Sequence, residues 1–247
     1  MVEKLKSVFK TAQSLLILKS FVFAGLLFWI KTSGFATLPI VVFVLYSFLL
    51  YFYHRIQSDF ENFYSFLVLI GASLYGVGML SHLEFLLLAI FVFSFLFYIF
   101  LGIKEHTFTH RFEWNYAKNL LLVYSVFLLY FLSDKYILFE IKFLAVFFIL
   151  FLVVREWLFW LYQVFPRRYN LAALIFSFLM FQILWAASLL PLGFINSATF
   201  MIVIFYLGMD FLINHFRGLV TKNLIIKNSI ILFVSVFVIF FLTNWKI

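Results

Sequence analysis

The chain has 247 residues, 66% of them hydrophobic and 11% charged, with a mean hydropathy of +1.14. A water-soluble fold would lack polar residues to cover its surface, so the composition excludes one and calls for an integral membrane protein. The formal charge of +8 fits the orientation rule for membrane loops better than nucleic-acid binding, and a sequence without cysteine excludes disulfides, thiolate metal sites and thiol catalysis.

A bilayer core about 30 Å thick takes about 20 apolar residues per helix. Nine hydrophobic segments meet that need approximately: 13–31, 36–53, 62–80, 84–103, 118–133, 136–157, 170–190, 194–213 and 225–243. Their continuous apolar runs lack the alternation of barrel strands. The expected fold is an all-α polytopic transmembrane bundle of nine spans, or eight should the short fifth segment fail to cross. It forms one integral membrane domain over 1–247, with 1–12 as a basic amphipathic cytoplasmic lead-in.

Along residues 2–18, Val2, Leu5, Phe9, Ala12 and Leu16 form one stripe, with Lys4, Lys6, Ser7 and Lys10 off it. That pattern suits a helix lying on anionic headgroups before it enters the membrane. The long apolar run that follows, with no A-x-A-like site after it, speaks against a cleaved signal peptide. Lys19 lies at the cytoplasmic end of the first span, where its side chain can snorkel.

In the third segment Ala72 and Gly76 stand in a small-xxx-small relation, with Gly71, Ser73 and Gly78 adding small surface for close helix packing. The longest polar connection, KEHTFTHRFEWNYAK at 104–118, carries His106 and His110 four residues apart. On a helix that spacing seats two imidazoles on one metal. The order lacks the His-Glu-x-x-His of zinc proteases, and the reading adopted is a solvated loop with no metal and no cofactor.

The sixth segment carries charge at both ends. Glu140 and Lys142 precede twelve apolar residues, and Arg155 and Glu156 follow them. The charges bracket a hydrophobic band about 18–20 Å long. Glu140 and Lys142 project to nearly opposite sides of the helix, so each needs water, a headgroup or a partner on another helix. The helix can run on to Phe165, where Pro166 ends it. In the seventh segment Gln182 sits eleven residues in, roughly 16 Å from the inner end and near midplane. A buried amide there wants a hydrogen-bond partner on a neighbouring helix.

In the eighth segment and beyond, Asp210, Asn214, Arg217 and Thr221 share a helical face if the helix continues past the membrane surface. Asp210 is then within reach of Arg217 at headgroup level, and Gly218 is a natural helix stop. Two candidate sites follow: an intramembrane polar site of Glu140, Lys142, Gln182 and Asp210, and a cytoplasmic headgroup-level site of Arg217, His106 and His110.

With the N-terminus inside, thirteen Lys and Arg fall on the inner side and three on the outer, which is the bias expected of cytoplasmic loops. Trp29, Trp157, Trp160 and Trp245 fall near interfaces, where indoles are favoured.

The runs WAASLLPLGFINSA (185–198), YLGMDFLINHFRGLVTKN (206–223) and LTNW (242–245) resemble the end of uncharacterised polytopic membrane proteins of small-genome bacteria. The resemblance covers the last third and is carried by Pro191, Gly193, Asp210, Arg217, Thr221, Lys222 and Trp245. It implies a multi-pass protein of the bacterial cytoplasmic membrane and transfers no catalytic residue.

No phosphate loop, nucleophile elbow or metal quartet is present in the sequence. The leading expectation is a non-enzymatic membrane protein that is structural or binds partners: the lipid bilayer and a membrane-protein partner or second copy, but no nucleic acid. Two rivals remain. A transporter or channel for a small solute or ion would gather the intramembrane polar residues on a water-filled path. A membrane enzyme for a lipid-linked substrate would gather His106, His110, Asp210 and Arg217 at the headgroups.

Overall fold

Long runs of Leu, Ile, Val and Phe with few breakers favour helices that can satisfy their own backbone in lipid. The computed structural model describes residues 2–53, 62–133, 139–162 and 166–242, with side chains for 13–53, 62–133, 141–161 and 167–241. Among the described residues every regular element is an α-helix. They are α1 (Val2–Thr32), α2 (Thr37–Tyr53), α3 (Phe63–Met79), α4 (Leu83–Lys104), α5 (Arg111–Leu132), α6 (Phe139–Tyr162), α7 (Pro166–Ser188), α8 (Phe194–Phe216) and α9 (Lys222–Leu242).

Seven of these, all but α2 and α3, contain stretches long and apolar enough to cross a membrane. The two shorter helices have 17 residues each, a rise of about 25 Å and the lower end of what spans a bilayer. The fifth segment, expected to be the shortest, is a 22-residue helix. Its first turns, RFEWNYA, are too polar to register as membrane sequence, yet they continue the helix. The expected 104–118 connection accordingly shrinks to the residues between Lys104 and Arg111. α7 begins on Pro166, whose missing N–H and fixed φ suit a first helical position.

The chain divides into two compact units, Met1–Leu122 and Val123–Ile247. In the first, α1 packs against α2, α3 and α4, and α3 packs on α4. Its centre is aromatic: Phe23 stacks on Phe97 at 4.2 Å and meets Phe43 at 4.9 Å, while Tyr51 stacks on Phe66 at 4.3 Å. In the second unit the order is a meander, α6 on α7, α7 on α8 and α8 on α9. Phe205 of α8 is its hub, within 6.4 Å of Phe127, 6.3 Å of Trp157 and 5.5 Å of Phe176. Gly208, one turn on, lets α7 approach closely, because a Cβ there would meet the Phe176 ring at 2.5 Å.

Gly218 at φ 67 closes α8, with its N–H on the His215 carbonyl and that of Leu219 on Asn214. Thr221 therefore does not continue the Asp210 face. Its hydroxyl accepts from the Leu224 N–H and caps α9. α9 is the most exposed span, with 6% of its apolar window buried.

Candidate functional site

A cavity lies in the second unit, where the ends of four elements meet. α5 finishes at Leu132, and the following Ser133 turns its hydroxyl back on the Tyr130 carbonyl at 2.9 Å. α6 enters with Lys142 on its first turns. α7 unwinds after Ser188, whose hydroxyl donates to the Trp185 carbonyl at 2.7 Å, because Pro191 forbids another helical turn. α8 then starts on Gly193, extended at φ −65 and ψ 155, with the Ser197 N–H making the first helical bond to its carbonyl. Glycine brings no side chain to cap the opening amides of α8.

These ends enclose about 160 Å³. The polar wall is Tyr130, Ser133, Lys142, Ser188 and Ser197; the apolar wall includes Phe131, Leu190, Leu192 and Phe194. Lys142 is the charged side chain among the lining residues. The Tyr130 hydroxyl is buried and interacts with the Ser188 side chain. An ammonium, a ring of hydroxyls and the positive end of a 23-residue helix dipole thus converge on one space.

Asp210 sits elsewhere on α8. Ser197 to Asp210 is thirteen residues, about 20 Å along the axis. Its carboxylate accepts from the Asn214 amide at 3.0 Å and the Asn228 amide at 3.1 Å, with the Lys227 ammonium at 4.0 Å. The cation at 4.0 Å comes from α9, and Arg217 is the exposed C-cap of α8. Asp210 is a tether between α8 and α9.

Of the other sequence candidates, Gln182 is exposed on the flank of α7 alongside Phe178, Leu179 and Trp185. The side chain of Glu140 lies outside the described ones. His106 is exposed in the turn after α4 at φ 56, and His110 is exposed just before α5, so the two do not share one helical face. Among the described residues no three His, Asp or Glu side chains gather as a metal site would require. The structure brings Lys142 into the cavity and leaves Asp210 and Gln182 out of it.

A second polar cluster, in the first unit, was not legible as one. Lys19 pairs with Glu105 at 2.5 Å, both side chains largely buried. Lys104 donates to the Tyr51 carbonyl and lies 3.6 Å from that ring's centroid. Lys118 is fully buried, donates to the Asn62 side chain at 2.6 Å and lies over Phe100 at 4.4 Å. Asn62 itself sits at φ 65, a backbone region asparagine tolerates better than most residues. Asn115, fully buried one turn before Lys118 and Asn119, has both side-chain polar atoms without a partner among the described residues. The signal available was the run Asn115, Lys118, Asn119, whose spacing of three and four puts three polar groups on one face.

No family model, curated protein or solved structure is similar to this chain.

Proposed function

We propose that the chain is a nine-span integral membrane protein with its N-terminus in the cytoplasm, acting without catalysis as a structural or partner-binding component of the membrane. One observation carries the reading: within the second unit, Lys142, Gln182 and Asp210 do not converge. Lys142 lines a cavity at one end, Asp210 is consumed in a helix tether about 20 Å away, and Gln182 faces outward. A permeation path would bring such groups to one hydrated interior, since intramembrane polar residues of transporters face a cavity. The lysine and arginine bias supports the orientation, and the resemblance of the C-terminal third supports a bacterial cytoplasmic membrane.

The topology is tested by placing single cysteines, in a chain that has none of its own, at positions 31, 142 and 222. Labelling with a membrane-impermeant maleimide is expected at 31 and 142 from outside only and at 222 from inside only. Labelling of 142 and 222 from the same side would overturn it.

A second reading, a transporter for a small solute, is favoured by the cavity beside Lys142, which has the character of a vestibule. It needs the cavity to continue past Gln182 to the other face.

A further inference from the structure

We propose that the face of α9 beside the α8–α9 turn is a binding site for an anionic phospholipid, with the headgroup phosphate at Lys222, Asn223 and Lys227 and an acyl chain along Ile226, Ile230 and Ile231. The inference rests on the membrane placement in the function proposed above, and it holds whichever side of the bilayer this end of the unit faces.

The first observation is shape. An open groove of about 420 Å³ runs along α9, lined by Asn223, Ile226, Lys227, Ile230 and Ile231. Spacings of three and four place these residues on one helical face. They are also ordered along it: an amide and an ammonium come in the first turns of the helix, and isoleucines continue beyond them. Asn223 to Ile231 is a rise of about 12 Å. A phospholipid has the same order, polar at the surface and apolar below it.

The second observation is charge. α7 opens, α8 closes and α9 opens at one end of the second unit, where Tyr169 meets Phe216 at 5.3 Å and Asn228 of α9 reaches Asp210 of α8. Between Arg155 and Lys227, inclusive, the chain carries six Lys and Arg and two carboxylates, Glu156 and Asp210. However these groups pair, two carboxylates neutralise at most two of the six cations, so this end stays positive. Lys222 is exposed and forms no ion pair among the described residues. Lys227 stands 4.0 Å from Asp210 with its side chain 57% exposed, and an ammonium has three donors to share.

Charge and shape together narrow the occupant. A soluble anion would satisfy the lysines and leave the exposed Ile226 and Ile230 uncovered. A zwitterionic lipid would cover the isoleucines but bring its own cation to a positive end. An anionic phospholipid does both, and lysines near a membrane surface favour such headgroups.

The test gives the full chain a local reporter, a bimane on Phe233→Cys, one turn past the groove on an exposed position, and reconstitutes it in vesicles with brominated-chain lipids as quenchers. Brominated phosphatidylglycerol is expected to reach the reporter on the order of twentyfold more strongly than brominated phosphatidylcholine, about fivefold for each of two lysines. Lys222→Gln and Lys227→Gln should each cut that preference about fivefold, and Lys142→Gln, at the other end of the unit, should leave it unchanged. The same reporter on Phe178→Cys, midway along α7 and exposed, is expected to show no headgroup preference. An excess of soluble glycerol phosphate should not reverse the quenching; reversal would mean that the anion alone is recognised and would overturn the lipid assignment. Equal quenching by the two lipids at position 233, or an equal preference at 178, also overturns it. The comparison of lipids needs neither lysine variant, so a variant that fails to fold does not remove the test. Absence of quenching by either lipid at both positions would instead overturn the membrane placement itself, and this site with it.

Discussion

Lys19 and Asp210 are both charged residues on apolar helices, and each is satisfied by a residue on or at the end of another helix. Lys19 reaches Glu105, 86 positions away, and Asp210 reaches Asn228, 18 positions away. Asp210→Ala would leave the Asn228 amide and the Lys227 ammonium without their acceptor. We expect it to loosen α9 by about 1–2 kcal/mol, seen as faster hydrogen exchange along Lys222–Leu242 while α6 and α7 stay protected. The Lys19–Glu105 pair predicts a different pattern. Glu105→Ala strands a largely buried ammonium, so it should destabilise the first unit by about 2–3 kcal/mol, and adding Lys19→Met should recover part of that loss. Thermal melting of the two single variants and the double in detergent reads the cycle. These contacts also mark where sequence reading ends. Gly218 was legible as a helix stop because its cause is local, a left-handed backbone that glycine permits. Lys118 was not legible as a buried group, because its partner Asn62 is 56 positions away and no local pattern says which helix faces it.

α8 illustrates what an element does that its residues alone do not. Its small residue Gly208 admits the Phe176 ring of α7, its aromatic Phe205 anchors the core, and its two ends serve the cavity and the tether. Gly208→Leu should drive side-chain atoms into that ring and cost about 1–3 kcal/mol by overpacking. Gly25→Ala in α1, where a new Cβ meets nothing within 4 Å, should be neutral or gain up to about 1 kcal/mol from helix propensity. Denaturation of both variants beside the parent checks the contrast. At this scale the sequence was informative about helix existence, since apolar runs of this length have few alternatives. It was less informative about ends: α5 starts seven residues before the expected 118 because its amphipathic first turns read as loop. The cavity was half legible. Lys142 stood out as a charge in an apolar run, but Tyr130, Ser133, Ser188 and Ser197 are ordinary residues until four helix ends bring them together.

For the whole molecule, the function proposed above has these helices in a bilayer and no water reaching Gln182. Each compact unit has its own aromatic core, and beyond their polar first turns the exposed faces of α7 from Leu171 and of α9 from Ile230 are apolar but for Gln182. Gln182 is the residue at which this claim is most exposed to refutation, because it is polar, near midplane by sequence, and on an outward face. The decisive measurement is the reaction of a single cysteine in a Gln182→Cys variant, in sealed vesicles, with a membrane-impermeant maleimide applied from each side in turn. The account predicts no labelling from either side until the membrane is dissolved. Labelling in the intact membrane would require water at midplane, contradict the non-transporting reading, and make the cavity beside Lys142 the mouth of a path.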